Sequence, residues 1–386
     1  AASGDDATFA DTVTSINDGI AINAGGDVTT LAGAVLSAVD TDGAGTPGTI
    51  GIAADGSVAL GADVTAADGV TVSAFNNIAI DGNIIADFDG EDDGDAVITA
   101  DADASGAGNV TMGEAFAITA DDITVSGYNV QVDRLIADVD GTGTAMDTEG
   151  DITVLATNNA AVTDTLTAGT GPDSDIVITA AEGLMTQVAG ADMTAGHDVT
   201  IAGAQGIELA GTIGEAIAIG NDVTLTSVAG SITIGDNITA NNNITATAEE
   251  SILIPGTIIR ADADGDNAGD ITMTADANRD ADGLFEMGAD AEFEAENITI
   301  YGFDVIADRL TADIATDGSG NIVVTAANNA TFNDAVQAGL IDGTITLEAT
   351  AGDLITNVGA TLLAGGDIAA ASGDDATFAD TVTSIN

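Results

Sequence analysis

Short runs of alternating apolar and polar residues recur throughout this chain. Residues 151–154, 198–201 and 222–225 read Asp-Ile-Thr-Val, Asp-Val-Thr-Ile and Asp-Val-Thr-Leu, which places the aliphatic residues on one face and Thr on the other. Gly, Asn and Asp, which favour turns, bound these runs. A helical period is nowhere sustained over a comparable length. The pattern therefore predicts short β-strands that each bury one face.

The strand-like runs are evenly spaced in two parts of the chain. They begin at Ile152, Ile176, Val199 and Val223 and again at Ile298, Ile322, Ile345 and Ile368. Shorter apolar–x–apolar triplets, such as 207–209 and 217–219, lie between them. Each interval is interpreted as one coil of two or three strands. Coils stacked at about 4.8 Å would form an all-β parallel β-helix, or β-solenoid, with about 23–24 residues per coil and about 16 coils.

A longer repeat defines the organisation of the chain. Residues 1–17 recur unchanged as residues 370–386, so the chain is one 369-residue unit (1–369) followed by the start of the next. Tandem duplication within a longer natural protein explains this copy, and a cloning artefact is the alternative. Neither end carries a distinct polar cap, so we expect further coils or a neighbouring molecule to cover both ends. We expect residues 1–386 to form one continuous β-solenoid.

An older duplication lies inside this unit. Residues 122–139 match residues 297–314 at an offset of 175, and half of the 18 aligned positions are identical. The match continues on both sides, so that 95–164 corresponds to 270–334. The unit therefore consists of two diverged halves of nearly equal length.

The composition favours thin, closely stacked strands. Trp and Cys are absent, and the chain has only two Tyr and nine Phe. Small and β-branched residues replace them, and these suit narrow stacked strands. A tandem array of immunoglobulin-like or cadherin-like sandwiches, each of about 90 residues, is the competing fold. The scarcity of Pro, Tyr and Trp and the short, regular strand period argue against it.

The charge balance restricts the partners of this protein. Its 64 acidic residues face four Arg and no Lys, which gives a formal net charge of -60. Nucleic acid and anionic membranes are unsuitable partners because both require basic patches. Divalent cations, high external salt or a basic surface would screen the repulsion. No apolar run is long enough for a membrane span, and we predict an extracellular location without membrane insertion.

Acidic, Gly-rich loops are the candidate binding sites. In residues 262–270, carboxylates alternate around a Gly, and this spacing can direct several hard oxygen ligands at one Ca²⁺. Residues 87–95 occupy the matching place in the other half. Calcium is the predicted cofactor, and a merely solvated acidic loop is the alternative, because Met273 stands where a full EF-hand loop requires Glu. The candidate ligands are Asp262, Asp264, Asp266, Asp270, Asp87, Asp89, Glu91, Asp93 and Asp95, with a looser third cluster at Asp138, Asp140, Asp147 and Glu149.

The sequence offers no catalytic constellation. The single His197 precedes a strand and, with no Cys and no second His, is interpreted as a turn residue. No Ser has a base that a third group orients. Arg134 and Arg309 occupy equivalent positions beside Asp133 and Asp308, and this recurrence predicts structural ion pairs because a catalytic site is usually built once. We therefore predict that the protein is not an enzyme.

Two Asn pairs recur in both halves, and the two Tyr lie at nearly equivalent positions. The pairs Asn158–Asn159 and Asn328–Asn329 are expected either to stack as amide ladders from coil to coil or to occupy left-handed turn positions. Tyr128 and Tyr301 are expected to fill a wider corner of the core, with carbohydrate stacking as the alternative.

The chain resembles the secreted β-helical repeat proteins of the filamentous-haemagglutinin and large bacterial adhesin type. Residues 220–250, GNDVTLTSVAGSITIGDNITANNNITATAEE, carry this resemblance in composition and rhythm. It implies a right-handed parallel β-helix that is exported as an extended fibre. The near-absence of basic residues and the unchanged long repeat depart from the family pattern. We expect a structural extracellular filament, stalk or sheath that associates with itself, and a calcium-dependent adhesin is the alternative.

Overall fold

A computed structural model describes residues 2–39, 48–88, 94–137, 150–169, 171–214, 222–265, 268–313 and 318–385. The chain divides into two compact units, unit 1 (Ala1–Asp198) and unit 2 (Val199–Asn386). The described residues form strands and turns and contain no helix. Accordingly, none of them belongs to a helix long and apolar enough to cross a membrane.

Unit 1 contains 24 strands in the residues that the structure describes. They are β1 (Ala2–Ser3), β2 (Ala7–Phe9), β3 (Val13–Ile16), β4 (Ile20–Ala24), β5 (Val28–Thr30), β6 (Val35–Val39), β7 (Ile50–Ala54), β8 (Val58–Leu60), β9 (Asp63–Ala66), β10 (Val70–Ala74), β11 (Ile78–Ile80), β12 (Ile84–Ile85), β13 (Ala96–Thr99), β14 (Val110–Met112), β15 (Ala117–Ala120), β16 (Ile123–Gly127), β17 (Val130–Val132), β18 (Arg134–Ala137), β19 (Ile152–Ala156), β20 (Ala160–Val162), β21 (Leu166–Thr167), β22 (Ile176–Ala180), β23 (Leu184–Gln187) and β24 (Met193–Thr194).

Unit 2 likewise contains 24 strands within its described part. They are β25 (Val199–Gly203), β26 (Gly206–Leu209), β27 (Ile213–Gly214), β28 (Val223–Ser227), β29 (Ile232–Ile234), β30 (Ile238–Thr239), β31 (Ile244–Ala248), β32 (Ile252–Ile254), β33 (Ile258–Arg260), β34 (Asp270–Thr274), β35 (Leu284–Met287), β36 (Glu292–Ala295), β37 (Asn297–Gly302), β38 (Asp304–Ala307), β39 (Arg309–Ala312), β40 (Ile322–Ala326), β41 (Ala330–Phe332), β42 (Val336–Gln337), β43 (Ile345–Ala349), β44 (Leu354–Thr356), β45 (Leu362–Ala364), β46 (Ile368–Ser372), β47 (Ala376–Phe378) and β48 (Val382–Ser384).

Each unit is built by one pairing rule: every strand pairs with the third strand before it and the third after it. In unit 1 the first sheet runs β1-β4-β7-β10-β13-β16-β19-β22, and the second and third sheets run in the same way from β2 to β23 and from β3 to β24. In unit 2 the three sheets run from β25 to β46, from β26 to β47 and from β27 to β48. Neighbouring strands within a sheet are parallel, as β16 with β19 and β37 with β40. The predicted all-β parallel β-solenoid is confirmed, with three strands to each coil.

The alternation of buried and outward residues explains why these segments are strands. In β16, Ile123 and Val125 are buried while Thr124 and Ser126 point outward. The register of the strands places identical residues next to each other in successive coils. Ile123 lies beside Ile152, and Ile152 lies beside Ile176. Burying one branched aliphatic side chain contributes roughly 1.5–3 kcal/mol. The inward column therefore holds successive coils together.

Three phenylalanines supply the bulk of the core of unit 2. Phe285, Phe293 and Phe332 are completely buried, and the rings of the first two meet edge to face with centroids 6.0 Å apart. The two tyrosines do not fill a core corner as predicted. Tyr301 points outward from β37 between the buried Ile300 and Gly302, and Tyr128 lies half-buried in a turn.

The coils differ in their number of residues because their turns differ in length. First-sheet strands of unit 1 begin at positions 50, 70, 96, 123 and 152, so the interval between successive starts increases along this part of the chain. The predicted starts from Ile152 onward coincide with first-sheet strands, whereas the triplet 217–219 lies outside the described residues. The extra residues fall between strands, as at 100–109, a turn that contains Asp101 and Asp103.

Candidate functional site in the acidic turns

The structure describes five of the nine predicted calcium ligands. Asp87 and Asp262 are buried, with 4% and 1% of their surface exposed, at matching turns between the third sheet and the first. Asp95 and Asp264 are exposed, and Asp270 is half-buried at the start of β34. Asp89, Glu91, Asp93 and Asp266 lie outside the described residues, as does the third cluster of Asp138, Asp140, Asp147 and Glu149.

Asp270 is bonded to the coils on both sides. Its backbone N–H donates to Oδ1 of Asn243 at 3.1 Å. Its own Oδ1 accepts from the backbone N–H and the Nδ2 of Asn297 at 3.2 and 2.9 Å. This carboxylate therefore connects coils, and any metal bound through Asp270 would compete with these hydrogen bonds.

Five aspartates are each approached closely by the glycine seven residues further on. A Cβ atom at Gly269 would lie 2.0 Å from the backbone nitrogen of Asp262, and one at Gly94 would lie 2.4 Å from Cβ of Asp87. The same spacing recurs from 101 to 108, from 276 to 283 and from 313 to 320. Only glycine permits this close approach of the two chain segments. The two end residues of these five segments therefore meet in the same way.

Asp101 shows how such a loop is held together. Its carboxylate accepts hydrogen bonds from Oγ of Ser105 at 2.9 Å and from the N–H of Gly106 at 3.0 Å. Desolvation favours the neutral acid, but these donors outweigh it and lower the pKa of Asp101. The residue adopts a left-handed backbone with φ of 57°. Aspartate tolerates that conformation better than most residues do.

Its counterpart in the other half, the turn that begins at Asp276, contains a cluster of carboxylates that was not predicted from the sequence. Single oxygens of Asp276, Asp280 and Asp282 lie within 4.8 Å of one another, and Asp276 is buried whereas the other two are exposed. A hydrogen bond with Asp280, followed by desolvation and nearby negative charge, raises the pKa of Asp282. The alternate acidic and amide residues at 276, 278 and 280 were the signal in the sequence. Three hard oxygens around one point suit Ca²⁺ chemically.

A ladder of Asp and Asn side chains runs along the turns that precede second-sheet strands. In unit 1, Oδ1 of Asn109 accepts from Nδ2 of Asn129 at 2.7 Å, and Oδ1 of Asn129 accepts from Nδ2 of Asn158 and from the N–H of Asn159 at 2.9 and 3.2 Å. In unit 2, Asn328 and Asn329 donate in the same way to Asp304. The predicted amide ladder is confirmed, and these residues have no left-handed backbone.

A second ladder precedes the first-sheet strands and includes the single histidine. Oδ1 of Asp175 accepts from the N–H of Asp198 at 3.0 Å and lies 2.9 Å from Nδ1 of His197. Desolvation lowers the pKa of His197, but the hydrogen bond to Asp175 and the charges of Asp198 and Asp173 outweigh it and raise the pKa overall. His197 lies in a turn, as predicted.

All four arginines of the chain contact the following coil. Arg134 pairs with Asp164 at 2.8 Å, Arg309 pairs with Asp334 at 2.7 Å, and Arg260 pairs with Glu294. The guanidinium of Arg279 lies over the ring of Tyr301, 5.5 Å from its centroid. Each exposed pair contributes at most about 1 kcal/mol.

Arg134 and Arg309 form ion pairs, as predicted. Their partners lie in the following coil and are not the adjacent aspartates. The neighbouring Asp133 instead accepts from the N–H of Ala115 at 2.9 Å and from Oγ1 of Thr163 at 3.2 Å. Its equivalent Asp308 accepts a backbone N–H from Asp290, and burial raises the pKa of Asp308. Successive residues of a strand point to opposite sides, so an aspartate directly before an arginine faces away from it.

Parallel sheets of short strands, inward aliphatic columns and side-chain ladders at the turns define the class: this is a β-solenoid repeat protein. No protein-family model, curated protein or solved structure matches the chain.

Proposed function

We propose that this protein is a structural filament, stalk or sheath component of a cell exterior, built from tandem β-solenoid repeats. The observation that carries the proposal is the coil-to-coil bonding. Within each unit, successive coils are joined through three parallel strand pairs, turn ladders and inward aliphatic columns. Such bonding can continue indefinitely in one direction, because every coil offers the next the same donors and acceptors.

The chemistry of the side chains supports a passive mechanical role. The four basic residues are engaged between coils, and Asp and Asn serve as turn acceptors. We propose that the protein has no enzymatic activity and is secreted. The high negative charge suits an environment with abundant external cations. A right-handed coil and a relationship to the filamentous-haemagglutinin type of surface protein belong to the same proposal.

Diffraction from aligned material and force spectroscopy test the filament role. A filament of stacked coils gives a meridional reflection near 4.8 Å. Single molecules pulled from their ends should yield coil by coil at high force. Compact particles without elongation at any concentration, or a missing meridional reflection, would contradict the proposal.

The second candidate is a calcium-dependent adhesin, which the carboxylate cluster of Asp276, Asp280 and Asp282 favours. In this role, Ca²⁺ would order the acidic turns and present them to a ligand. Its test compares the melting temperature in calcium and in chelator at constant ionic strength. The double variant Asp280→Asn/Asp282→Asn should lose the calcium-dependent increase, whereas Asp55→Asn, at an exposed position outside the predicted calcium loops, serves as the control. Equal melting temperatures in calcium and chelator would rule this role out.

A further inference from the structure

Two long turns, one in each unit, have the same backbone conformation. They are residues 100–108, after β13, and residues 275–283, after β34. The left-handed positions that they share are Asp101, Ala104 and Gly106 in unit 1, with φ of 57°, 55° and 79°, and Asp276, Arg279 and Ala281 in unit 2, with φ of 56°, 60° and 78°. The N–H of Ala104 donates to the carbonyl of Asp101 at 2.8 Å, and that of Arg279 to Asp276 at 3.0 Å. The two turns therefore hold their side chains in equivalent positions.

The strands beside these turns are equivalent as well. In unit 1, Ser126 of β16 lies between Thr99 of β13 and Leu155 of β19. Tyr301 of β37 occupies the same place in unit 2, between β34 and β40. Both Ser126 and Tyr301 point outward and precede a buried glycine. The two units thus differ here in their side chains and share the scaffold.

In unit 2, two large side chains meet between the turn and the strand. The guanidinium of Arg279 lies over the ring of Tyr301, 5.5 Å from its centroid. Unit 1 has Ala104 and Ser126 at these two positions, and side chains of this size do not reach each other across the gap. A groove of about 380 Å³ remains, and its walls include Thr99, Asp101, Ala104, Ser126, Leu155 and Thr179. The groove of unit 1 therefore lies where unit 2 holds a ring and a guanidinium.

We propose that this groove binds an aromatic side chain with a neighbouring arginine, supplied by a basic segment of a partner protein. The bound ring takes the place that the Tyr301 ring has in unit 2, and the bound guanidinium takes the place of that of Arg279. The proposal adds a binding site to unit 1 and does not depend on the filament role.

The walls of the groove suit a ring. Leu155 exposes 42% of its surface to solvent, and an aromatic ring that covers such an apolar side chain contributes affinity beyond the area that it buries. The hydroxyl of Ser126 is bonded within the wall, to Oγ1 of Thr99 at 3.2 Å. The outer face of the bound ring stays open to a guanidinium, as in unit 2.

The charge of the groove favours a cation beside that ring. Asp101 lines the groove, and the exposed Asp103 lies in the same turn. Hydrogen bonds from Ser105 and Gly106 hold the carboxylate of Asp101 in its charged form. The net charge of -60 adds a long-range attraction for basic segments. A neutral or acidic ligand would gain nothing from these charges.

The required segment is absent from this sequence. None of the four arginines has an aromatic residue within two positions of it, so a second copy of these 386 residues does not supply a short segment with both groups. In an extended segment, residues two positions apart point to the same side. A partner protein with Arg and Tyr at this spacing therefore presents a guanidinium and a ring together.

Methyl NMR of the full chain with labelled leucine tests the site, and the probe is the peptide acetyl-Arg-Ser-Tyr-amide. A ring packed on Leu155 should shift its methyl signals upfield in a saturable titration, because the face of an aromatic ring shields nearby protons. A peptide with Ala in place of Tyr should bind roughly tenfold more weakly. A peptide with Gln in place of Arg should bind roughly threefold more weakly.

Two substitutions copy residues of unit 2 into the groove of unit 1. Ser126→Tyr places the chain's own ring in the groove without changing the net charge, and it should abolish binding of the peptide. Leu155→Thr introduces the residue that unit 2 has at this position, Thr325, and should weaken binding by about threefold or more. Thr14→Tyr is the matched control, because it adds the same ring to an exposed position of the third sheet, and it should bind like the natural chain.

Thermal melting of each variant shows whether it is folded, and Leu155→Thr and the three peptides still decide the question if Ser126→Tyr does not fold. The absence of a saturable shift at Leu155, equal affinities of the three peptides, or undiminished binding by a folded Ser126→Tyr would each overturn the proposal. Methyl glucoside probes the other ligand class. A saturable shift at Leu155 with this sugar and none with the peptide would assign the groove to carbohydrate and equally overturn the proposal.

Discussion

Aspartate and asparagine at the turn positions act as hydrogen-bond acceptors for the next coil. Their short side chains reach the backbone N–H of the equivalent residue one coil further, as in the pairs Asp151 to Asp175 and Asn297 to Asn321. The carboxylate or amide oxygen thereby satisfies a donor that the strand ladder leaves open at the turn. Part of the negative charge of this chain is therefore structural.

The single histidine provides a measurable residue-scale prediction. Because the folded pKa of His197 is raised, its contribution is fully present below the unfolded pKa of about 6.5 and is lost as pH rises through the folded pKa. We expect His197→Gln to reduce the free energy of unfolding by a few tenths of a kcal/mol near pH 5 and by nothing near pH 9, since the pair is about one-third exposed. Denaturant titrations at both pH values measure this difference.

The imidazole resonance gives an independent check. Its NMR titration should show a pKa above the ordinary value in the natural chain and a smaller shift in Asp175→Asn, which keeps the ladder acceptor and removes the charge. A pKa that is equal in the two proteins would contradict the role of Asp175.

At the scale of elements, three kinds of contact hold one coil on the next. Main-chain pairing sets the register, inward side chains such as Ile298 and Ile322 stack in columns, and the ladders secure the turns. Exposed ion pairs of arginine, such as that between Arg134 and Asp164, add to these contacts. Because strands of two to six residues offer few main-chain bonds each, the turn ladders carry a sizeable share of the contact between coils.

Asn129 is hydrogen-bonded to the coils on both sides in the second-sheet ladder of unit 1, and its removal tests the ladder. Asn129→Ala leaves the N–H of Asn159 and the amide of Asn158 without their acceptor. We expect a loss of about 1–2 kcal/mol in the free energy of unfolding, the cost of an unsatisfied, partly buried hydrogen-bonding group. Chemical denaturation of the full chain measures it.

Asn23→Ala is the matched control, because Asn23 points outward from β4 and is exposed. It should change the stability by less than about 0.5 kcal/mol. Equal losses in the two variants would show that the ladder is not stabilising.

At the scale of the whole molecule, charge governs stability. A net charge of -60 on 386 residues repels itself. The chain has no Lys, and each of its four arginines is already engaged with the next coil. Counterions from the solvent must therefore provide the screening.

The melting temperature should consequently rise with salt. Between 10 mM and 1 M NaCl the screening length falls from about 30 Å to about 3 Å, and we expect an increase of roughly 5–15 °C. Calorimetry in NaCl, compared with sucrose at the same osmolality, separates screening from solvent exclusion. A melting temperature that follows sucrose and ignores NaCl would contradict this account.

The sequence by itself determined the fold class, the positions of eight first-sheet strands and the nested repeats. These features depend on local alternation and on turn residues, which act over a few neighbouring positions. Ile152 and Ile176, for example, were recognisable as strand starts because each follows Asp and begins an alternating run.

Only the tertiary structure decided which side chains meet between coils. Arg134 finds its partner 30 residues further on and Arg309 finds its own after 25, because turns of different length shift the offset from coil to coil. The tertiary structure also decided that Asp262 is buried and Asp264 is exposed, because both lie in a turn, where the alternation of a strand does not apply. Which two residues meet across stacked coils depends on the total length of the turns between them. A local sequence pattern covers only a few neighbouring positions and therefore cannot predict such a contact.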